Sequence, residues 1–167
     1  MVTMKKIEKI MVPVAFSPYS QGIVDYGVML ATSLHVEKLI FISVINQRDV
    51  DAVETITAFG YEVDGSHYVE EIKKQRAAAL DQLLEKSDFP EDRMKLIITV
   101  GKPAQKLLRH AVREEVDMIV MGVKAKSELA HAFTGSVAEK LFRRSPITIV
   151  SYRDETIAKK LRKRIQI

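Results

Sequence analysis

Residues 116–150, VDMIVMGVKAKSELAHAFTGSVAEKLFRRSPITIV, carry the pattern of a strand, a polar turn, a helix and a second strand. Val116–Met121 is short, apolar and rich in β-branched residues, which is typical of a buried parallel strand. Gly122 ends that run, and Ile147–Tyr152 is predicted as the next strand. The stretch therefore predicts one repeat of an alternating α/β protein.

A helix start lies between the two strands. Ser136 and Glu139 stand three residues apart, the spacing of a capping box, so Ser136 is the predicted N-cap. The pattern predicts a helix over Val137–Arg144, which Pro146 brings to an end.

Anion binding is the chemistry that this arrangement can support. A helix N-terminus offers unpaired N–H groups and partial positive charge, and a preceding glycine lets a phosphate approach the backbone. Gly122, the turn at 124–127 and Gly135-Ser136 could converge on one phosphate chain. Spacing alone leaves a second interpretation open, in which Gly122 ends a strand and Gly135-Ser136 is an ordinary cap.

The stretch resembles the nucleotide-binding signature of the universal stress protein family, which is Gly, two residues, Gly, nine residues, then Gly-Ser or Gly-Thr. Here Gly122 is followed by two residues, Ala125, nine residues and Gly135-Ser136. The spacing matches, and alanine replaces the second glycine. Ser145-Pro146 after the helix is also similar to the family.

The first half of the chain begins with another strand–helix–strand unit. Ile7–Phe16 is predicted as the first strand, and Leu39–Ile45 as the second. Between them, Ser17 followed by Pro18 predicts an N-cap and a helix that runs to about Leu34.

The middle of the chain continues the alternation. The predicted elements are a short helix near Val50–Phe59, a long helix over Ser66–Lys86, a third strand at Met94–Val100 and a helix over Pro103–Glu115.

The fold class predicted from this alternation is α/β with five strands. The resemblance implies a doubly wound parallel sheet in strand order 3-2-1-4-5, with helices on both faces, as in adenine-nucleotide alpha-hydrolase-like proteins. We predict a universal stress protein domain over residues 1–152 and a separate C-terminal tail over residues 153–167.

Ligands of such sheets bind beyond the carboxyl ends of the strands, where the strand order reverses. The predicted site residues are Pro13, Val14, Ala15, Val44, Met121, Gly122, Lys124, Ala125, Gly135, Ser136 and Val137. The resemblance implies that ATP, with Mg, would bind there.

Two of these positions depart from the family pattern. Ala15 stands where the family has an aspartate against the nucleoside, and Ala125 stands where it has a glycine. A lost acceptor and an added methyl group would both weaken ATP binding. Lys124 and Lys126 act in the opposite direction, because ammonium groups can pair with phosphates.

Composition excludes several other classes. The 167 residues contain no cysteine, so disulfides and thiolate metal sites are excluded. No apolar run is long enough to span a bilayer, and we expect a cytoplasmic protein. There is no Walker pattern, no GxGxxG after the first strand, no metal-ligand spacing among the four histidines and no visible catalytic dyad. Asp117 is interpreted as the start of a strand, and at most slow ATP hydrolysis is expected.

The tail carries the charge imbalance of the chain. Residues 153–167 hold six basic and two acidic residues, a net +4 that equals the charge of the whole chain. The remainder is balanced, which disfavours nucleic acid as a partner. Ile157, Leu161 and Ile165 recur at helical spacing. The favoured interpretation is packing on the chain's own domain or on a dimer partner, with a weak membrane contact and nucleic acid as alternatives.

The last strand, Ile147–Tyr152, has no covering strand in the sequence. The resemblance implies a homodimer that pairs through this strand. The resulting hypothesis is a stress-response regulator with an ATP-class site that alters the binding of an unknown protein partner. The alternative is a dimeric interaction module of the same family that binds no nucleotide.

Overall fold

The computed structural model describes residues 5–62, 64–122 and 137–165. Within these ranges the strands are β1 (Lys9–Pro13), β2 (Lys38–Asn46), β3 (Met94–Gly101), β4 (Met118–Gly122) and β5 (Thr148–Tyr152). The α-helices are α1 (Ser20–Ser33), α2 (Gln47–Ala58), α3 (Gly65–Leu84), α4 (Pro103–Arg113), α5 (Val137–Arg144) and α6 (Glu155–Arg162).

The strands form one parallel sheet in the order β3-β2-β1-β4-β5, which confirms the predicted fold class. Strand β1 is central, with Ile10 beside Leu39 of β2 on one side and Met118 of β4 on the other. The chain winds outward from β1 to β3 and then crosses to β4 and β5. The order therefore reverses between β1 and β4, which makes their carboxyl ends the place where a crevice opens.

Helices cover both faces of the sheet because side chains along a strand point alternately to either side. Ile10 and Val12 of β1 pack with α1 and α3, whereas Met11 packs with α4 and α5. All three are fully buried, as expected for a central parallel strand.

Helix α1 lies unusually close to β1. A Cβ atom added to Gly27 would stand 2.7 Å from Cγ2 of Val12, so only glycine fits at that point of contact. The close approach holds the start of α1 over the carboxyl end of β1, where the crevice lies.

The predicted start of α1, Pro18, was wrong by two residues. The helix begins at Ser20, because Phe16 adopts a left-handed φ of 51° and the next residues form a turn. The Ser20 N–H donates to the carbonyl oxygen of Ser17 at 3.0 Å. Pro18 therefore lies in the turn, and the strand predicted to run to Phe16 ends at Pro13.

Helix α2 is longer than the short helix predicted near Val50–Phe59. It begins at Gln47, directly after β2, because Asn46 ends the strand and also caps the helix. The Asn46 side chain accepts a hydrogen bond from the Arg48 N–H at 3.2 Å.

Candidate functional site

A small cavity lies beyond the carboxyl ends of β1 and β4. Its volume is about 70 Å³, and three predicted site residues, Pro13, Ala15 and Gly122, line it. The β1–α1 turn and the first part of α1 form a second wall, and the segment after β5 forms a third. The other lining residues are Ser17, Tyr19, Ser20, Ile23, Tyr152, Asp154 and Ile157.

Three other predicted site residues belong to the core or its margin. Val14 is 5 % exposed and packs on the α1 side of the sheet, while its N–H donates to the carbonyl oxygen of Ile42 at 2.9 Å. Met121 is also 5 % exposed and packs on the α4 side. Val44, which is half-buried, packs on that same side. These three residues do not line the cavity, and they offer no side-chain polar group.

Val137 is the first residue of α5 and is exposed. The predicted residues Lys124, Ala125, Gly135 and Ser136 lie outside the described residues. The phosphate-contacting part of the predicted site therefore stays a prediction, and the described part is the side of the crevice formed by β1, β4, α1 and α6.

Gly122 leaves open space at the end of β4. Among the described residues, a Cβ atom placed there would meet only Ile23 within 4 Å, at an ordinary contact distance of 3.9 Å. Glycine is thus not required by the packing of the described residues. A larger side chain at this position would extend into the cavity without displacing the sheet.

Two serine hydroxyls fix the β1–α1 turn, each by accepting a hydrogen bond from a backbone N–H group of the turn. The Ser20 hydroxyl accepts from the Ser17 N–H at 2.8 Å, and the Ser17 hydroxyl accepts from the Tyr19 N–H at 3.3 Å. Both hydroxyls are therefore engaged in backbone contacts of the turn, and the N-cap position of α1 is Tyr19 and not the predicted Ser17.

A cationic side chain supports the same turn from α3. Nη1 of Arg76 donates to the buried Ser43 hydroxyl at 2.8 Å, and its guanidinium lies 6.0 Å from the centre of the Phe16 ring. Burial lowers the pKa of Arg76 below its ordinary value, although the side chain stays charged. Arg76 is not among the site residues predicted from the sequence. In the sequence, Arg76 is a cation between apolar positions on the inward face of α3, and this pattern indicates that it has a buried partner.

The segment after β5 turns back over the start of α1. The Tyr152 ring stacks against Tyr26 with centroids 4.9 Å apart, and Gly22 supplies the space that its hydroxyl needs. Asp154 then caps α6 by accepting the Thr156 N–H at 2.9 Å. Ile157 is 3 % exposed and reaches the cavity wall. The sequence predicted an amphipathic tail but not its position over the crevice.

Asp117, at the opposite end of the sheet, holds β1 and β4 together. Its Oδ2 atom accepts from the N–H groups of Glu8 and Lys9 at 2.9 and 3.0 Å, and Oδ1 pairs with Lys5 at 2.6 Å. It directly precedes β4, which begins at Met118, as expected of a residue at the entry to a strand.

Two other features are absent from the described parts of the chain. No group of three or more histidine or acidic residues there is placed to hold a metal ion. No helix among residues 5–62, 64–122 and 137–165 is both long and apolar enough to cross a bilayer.

The fold and the crevice define a doubly wound α/β protein with its candidate ligand site at the switch point between β1 and β4. Residues 6–153 match the Universal stress protein family, and the chain belongs to that family. Universal stress protein YxiE of Bacillus subtilis (strain 168) is 28% identical over 148 residues, which cover 85% of this chain and 97% of the relative.

Solved structures of other proteins show the same fold. The structure of MJ0577 superposes with a TM-score of 0.67 at 22% identity, over 90% of this chain and 99% of that chain. The curated sequence of MJ0577, a universal stress protein of Methanocaldococcus jannaschii, is 26% identical over 156 residues, 86% of this chain and 94% of the relative. A universal stress protein solved in complex with cAMP gives a TM-score of 0.60 at 20% identity, over 89% of this chain and 98% of that chain.

Proposed function

We propose that this universal stress protein binds an adenine nucleotide, ATP with Mg, in the crevice beyond β1 and β4. The bound nucleotide would alter the binding of a protein partner during a cytoplasmic stress response. The observation that carries the proposal is the meeting of Pro13, Ala15 and Gly122 in one cavity at the switch point of the sheet. A similar protein solved with cAMP supports a nucleotide as the ligand class.

The chemistry of the described wall favours weak binding. Ala15 is exposed at the cavity and has no group that could accept a hydrogen bond from a nucleoside. A hydrogen bond to a charged acceptor contributes about 1.5–3 kcal/mol, so its loss corresponds to roughly a ten- to hundredfold loss of affinity. Dissociation constants in the micromolar range or above are therefore expected.

The experiment is calorimetric titration of the purified protein with Mg-ATP and with cAMP, after its nucleotide content has been measured. Gly122→Ala and Gly122→Val place one and three carbons in the cavity, where the nearest atoms of Ile23 leave room for the first. We expect affinity to fall stepwise with little change in the unfolding temperature. Loss of affinity together with loss of stability would instead indicate damage to the fold.

A gain-of-function pair tests the role of position 15. Ala15→Asp restores the carboxylate, and we expect affinity for Mg-ATP to rise by about tenfold or more. Ala78→Asp is the matched control, because Ala78 is also exposed but lies on the outer side of α3. Equal effects of the two changes would show that net charge, and not a contact with the nucleoside, is responsible.

The second candidate is a dimeric interaction module that binds no nucleotide. The small volume of the cavity and the alanine at position 15 favour it. No heat with either nucleotide at millimolar concentration, together with no copurified nucleotide, would establish this alternative. In neither case do we expect turnover beyond slow hydrolysis, which a phosphate-release assay would measure.

A further inference from the structure

Helix α6 is an addition to the part of the chain that matches the family. The match ends at residue 153, whereas α6 spans Glu155–Arg162. The relative YxiE is matched over 97% of its own length by 85% of this chain. Helix α6 therefore lies outside the residues that match the family model.

The path of the chain into α6 is fixed over the crevice. Tyr152 pairs with Tyr26 of α1, and a Cβ atom on Gly22 would come within 2.5 Å of the Tyr152 hydroxyl oxygen. From there the chain reaches Asp154, which lines the cavity and caps α6 with its side chain. The first turn of α6 consequently lies above the strand ends.

Ile157 closes this side of the crevice. It is 3 % exposed and lines the same cavity as Ala15 and Gly122. The cavity that remains measures about 70 Å³, whereas pockets for small molecules typically enclose about 300–1,000 Å³. A space of this size is too small for a nucleoside, and Ile157 is one of the side chains that bound it.

The contact that holds α6 is a small one. Ile157 is its one fully buried residue; Ala158 and Leu161 are half-buried, and Ile165 beyond it is 65% exposed. The polar side chains at its two ends bond within the helix, because Glu155 pairs with Arg162 at 2.7 Å. Helix α6 can therefore leave the domain as an intact unit, without disrupting the sheet.

We propose that α6 is an autoinhibitory cover, and that its docking through Ile157 competes with nucleotide for the crevice. The inference rests on the proposed nucleotide site. Burial of one isoleucine side chain corresponds to about a ten- to hundredfold factor in an equilibrium constant. Release of α6 should raise nucleotide affinity by a factor of that size.

The test compares Mg-ATP titrations of the full-length wild type, Ile157→Ala and Ile165→Ala. Both variants remove the same atoms from the tail, but only Ile157 reaches the cavity. We expect Ile157→Ala to bind Mg-ATP about ten- to a hundredfold more tightly than wild type. Ile165→Ala should bind as wild type does.

A second measurement needs no substitution. Hydrogen exchange of the α6 amides in wild-type protein should become faster when saturating Mg-ATP is added, because bound nucleotide would displace the helix. Equal affinities of wild type and Ile157→Ala, with unchanged exchange, would overturn the cover and leave the nucleotide site standing. Weaker binding by Ile157→Ala would also overturn it, since α6 would then be part of the site. Absence of binding in every form would remove the proposed function and the cover together.

Discussion

His110 is a buried imidazole on α4, 7 % exposed. Burial is the main cause that lowers the pKa of this ring, and the nearby charges of Arg113, Lys106 and Lys95 lower it further, against the opposing effect of Glu114. Nη2 of Arg113 lies 3.0 Å from its Nδ1 atom. A guanidinium can only donate, so Nδ1 accepts and the ring is neutral in the folded protein.

This arrangement predicts a pH dependence of stability. The unfolded chain binds a proton at His110 near the ordinary pKa of 6.5, whereas the folded chain binds it only at lower pH. The contribution of His110 to the free energy of unfolding should therefore be constant above pH 6.5, the ordinary pKa. Below that pH it should fall by at most about 1.4 kcal/mol per pH unit. Urea unfolding between pH 5 and 8 measures the slope. His110→Gln should reduce it.

Asp117 supports a second prediction at this scale. Its side chain is 8% exposed. Burial raises its pKa, but the Lys5 hydrogen bond and the N–H groups of Glu8 and Lys9 outweigh burial, and the net pKa is lowered. This carboxylate therefore stabilises the fold above its ordinary pKa of 3.8, and the contribution is lost as pH falls through the lowered value.

Asp117→Ala leaves two backbone donors without their acceptor and should lower the free energy of unfolding by about 1–3 kcal/mol. Asp117→Asn retains one acceptor oxygen and should cost less. Lys5→Ala removes a partner that is 84% exposed, so we expect a loss under about 1 kcal/mol. Denaturant unfolding at pH 7 ranks the three variants, and a larger loss for Lys5→Ala than for Asp117→Ala would contradict the assignment.

At the scale of elements, the contact between α1 and β1 makes the sharpest prediction. Gly27→Ala would bring a methyl group against Val12, a stiff β-branched side chain in the central strand. Such overpacking costs about 1–3 kcal/mol, more than the gain of up to about 1 kcal/mol that alanine brings to a helix. Thermal unfolding should show Gly27→Ala to be less stable than wild type.

The double variant Val12→Ala/Gly27→Ala tests whether this contact is the cause. The added methyl group would occupy space that the shortened Val12 side chain vacates. The loss of stability in the double variant should therefore be smaller than the sum of the losses in the two single variants, by roughly 0.5–3 kcal/mol. Strict additivity would mean that Gly27→Ala acts through something other than the Val12 contact.

Elements were more predictable from sequence than their junctions. Strands such as β4 are short apolar runs, and α5 is followed by Pro146, so local signals were enough. The start of α1 was missed because Phe16 takes a left-handed conformation that few non-glycine residues adopt. The start of α2 was missed because a single residue, Asn46, both ends β2 and caps the helix.

The candidate site was predicted only in part, for a physical reason. Pro13, Ala15 and Gly122 follow from strand order, because the carboxyl ends of adjacent parallel strands must meet. Tyr152 and Ile157 close the crevice through contacts with residues more than a hundred positions earlier. Amphipathic spacing in the tail shows that a helix has an apolar side, but it does not show which surface that side will cover.

At the scale of the whole molecule, β5 is the last strand in the sheet order, and no strand of the described residues lies on its outer side. Its exposed residues, Thr148 and Ser151, are small, and its half-buried residues, Ile149 and Val150, are apolar. Charged side chains and prolines usually protect such an edge from pairing, and β5 has neither. We propose that two copies of this chain pair through β5 in a two-fold dimer.

Sedimentation of the purified protein should therefore give a dimer at micromolar concentration. Thr148→Lys/Ser151→Lys would place four positive charges around the two-fold axis, and we expect a shift to monomer without a comparable loss of unfolding temperature. Leu96→Lys is the control on β3, the opposite edge of the sheet, where Leu96 is 36% exposed. A dimer that survives the β5 change but not the β3 change would place the interface at the other edge. A wild-type monomer would leave β5 unpaired in solution and contradict the proposed dimer.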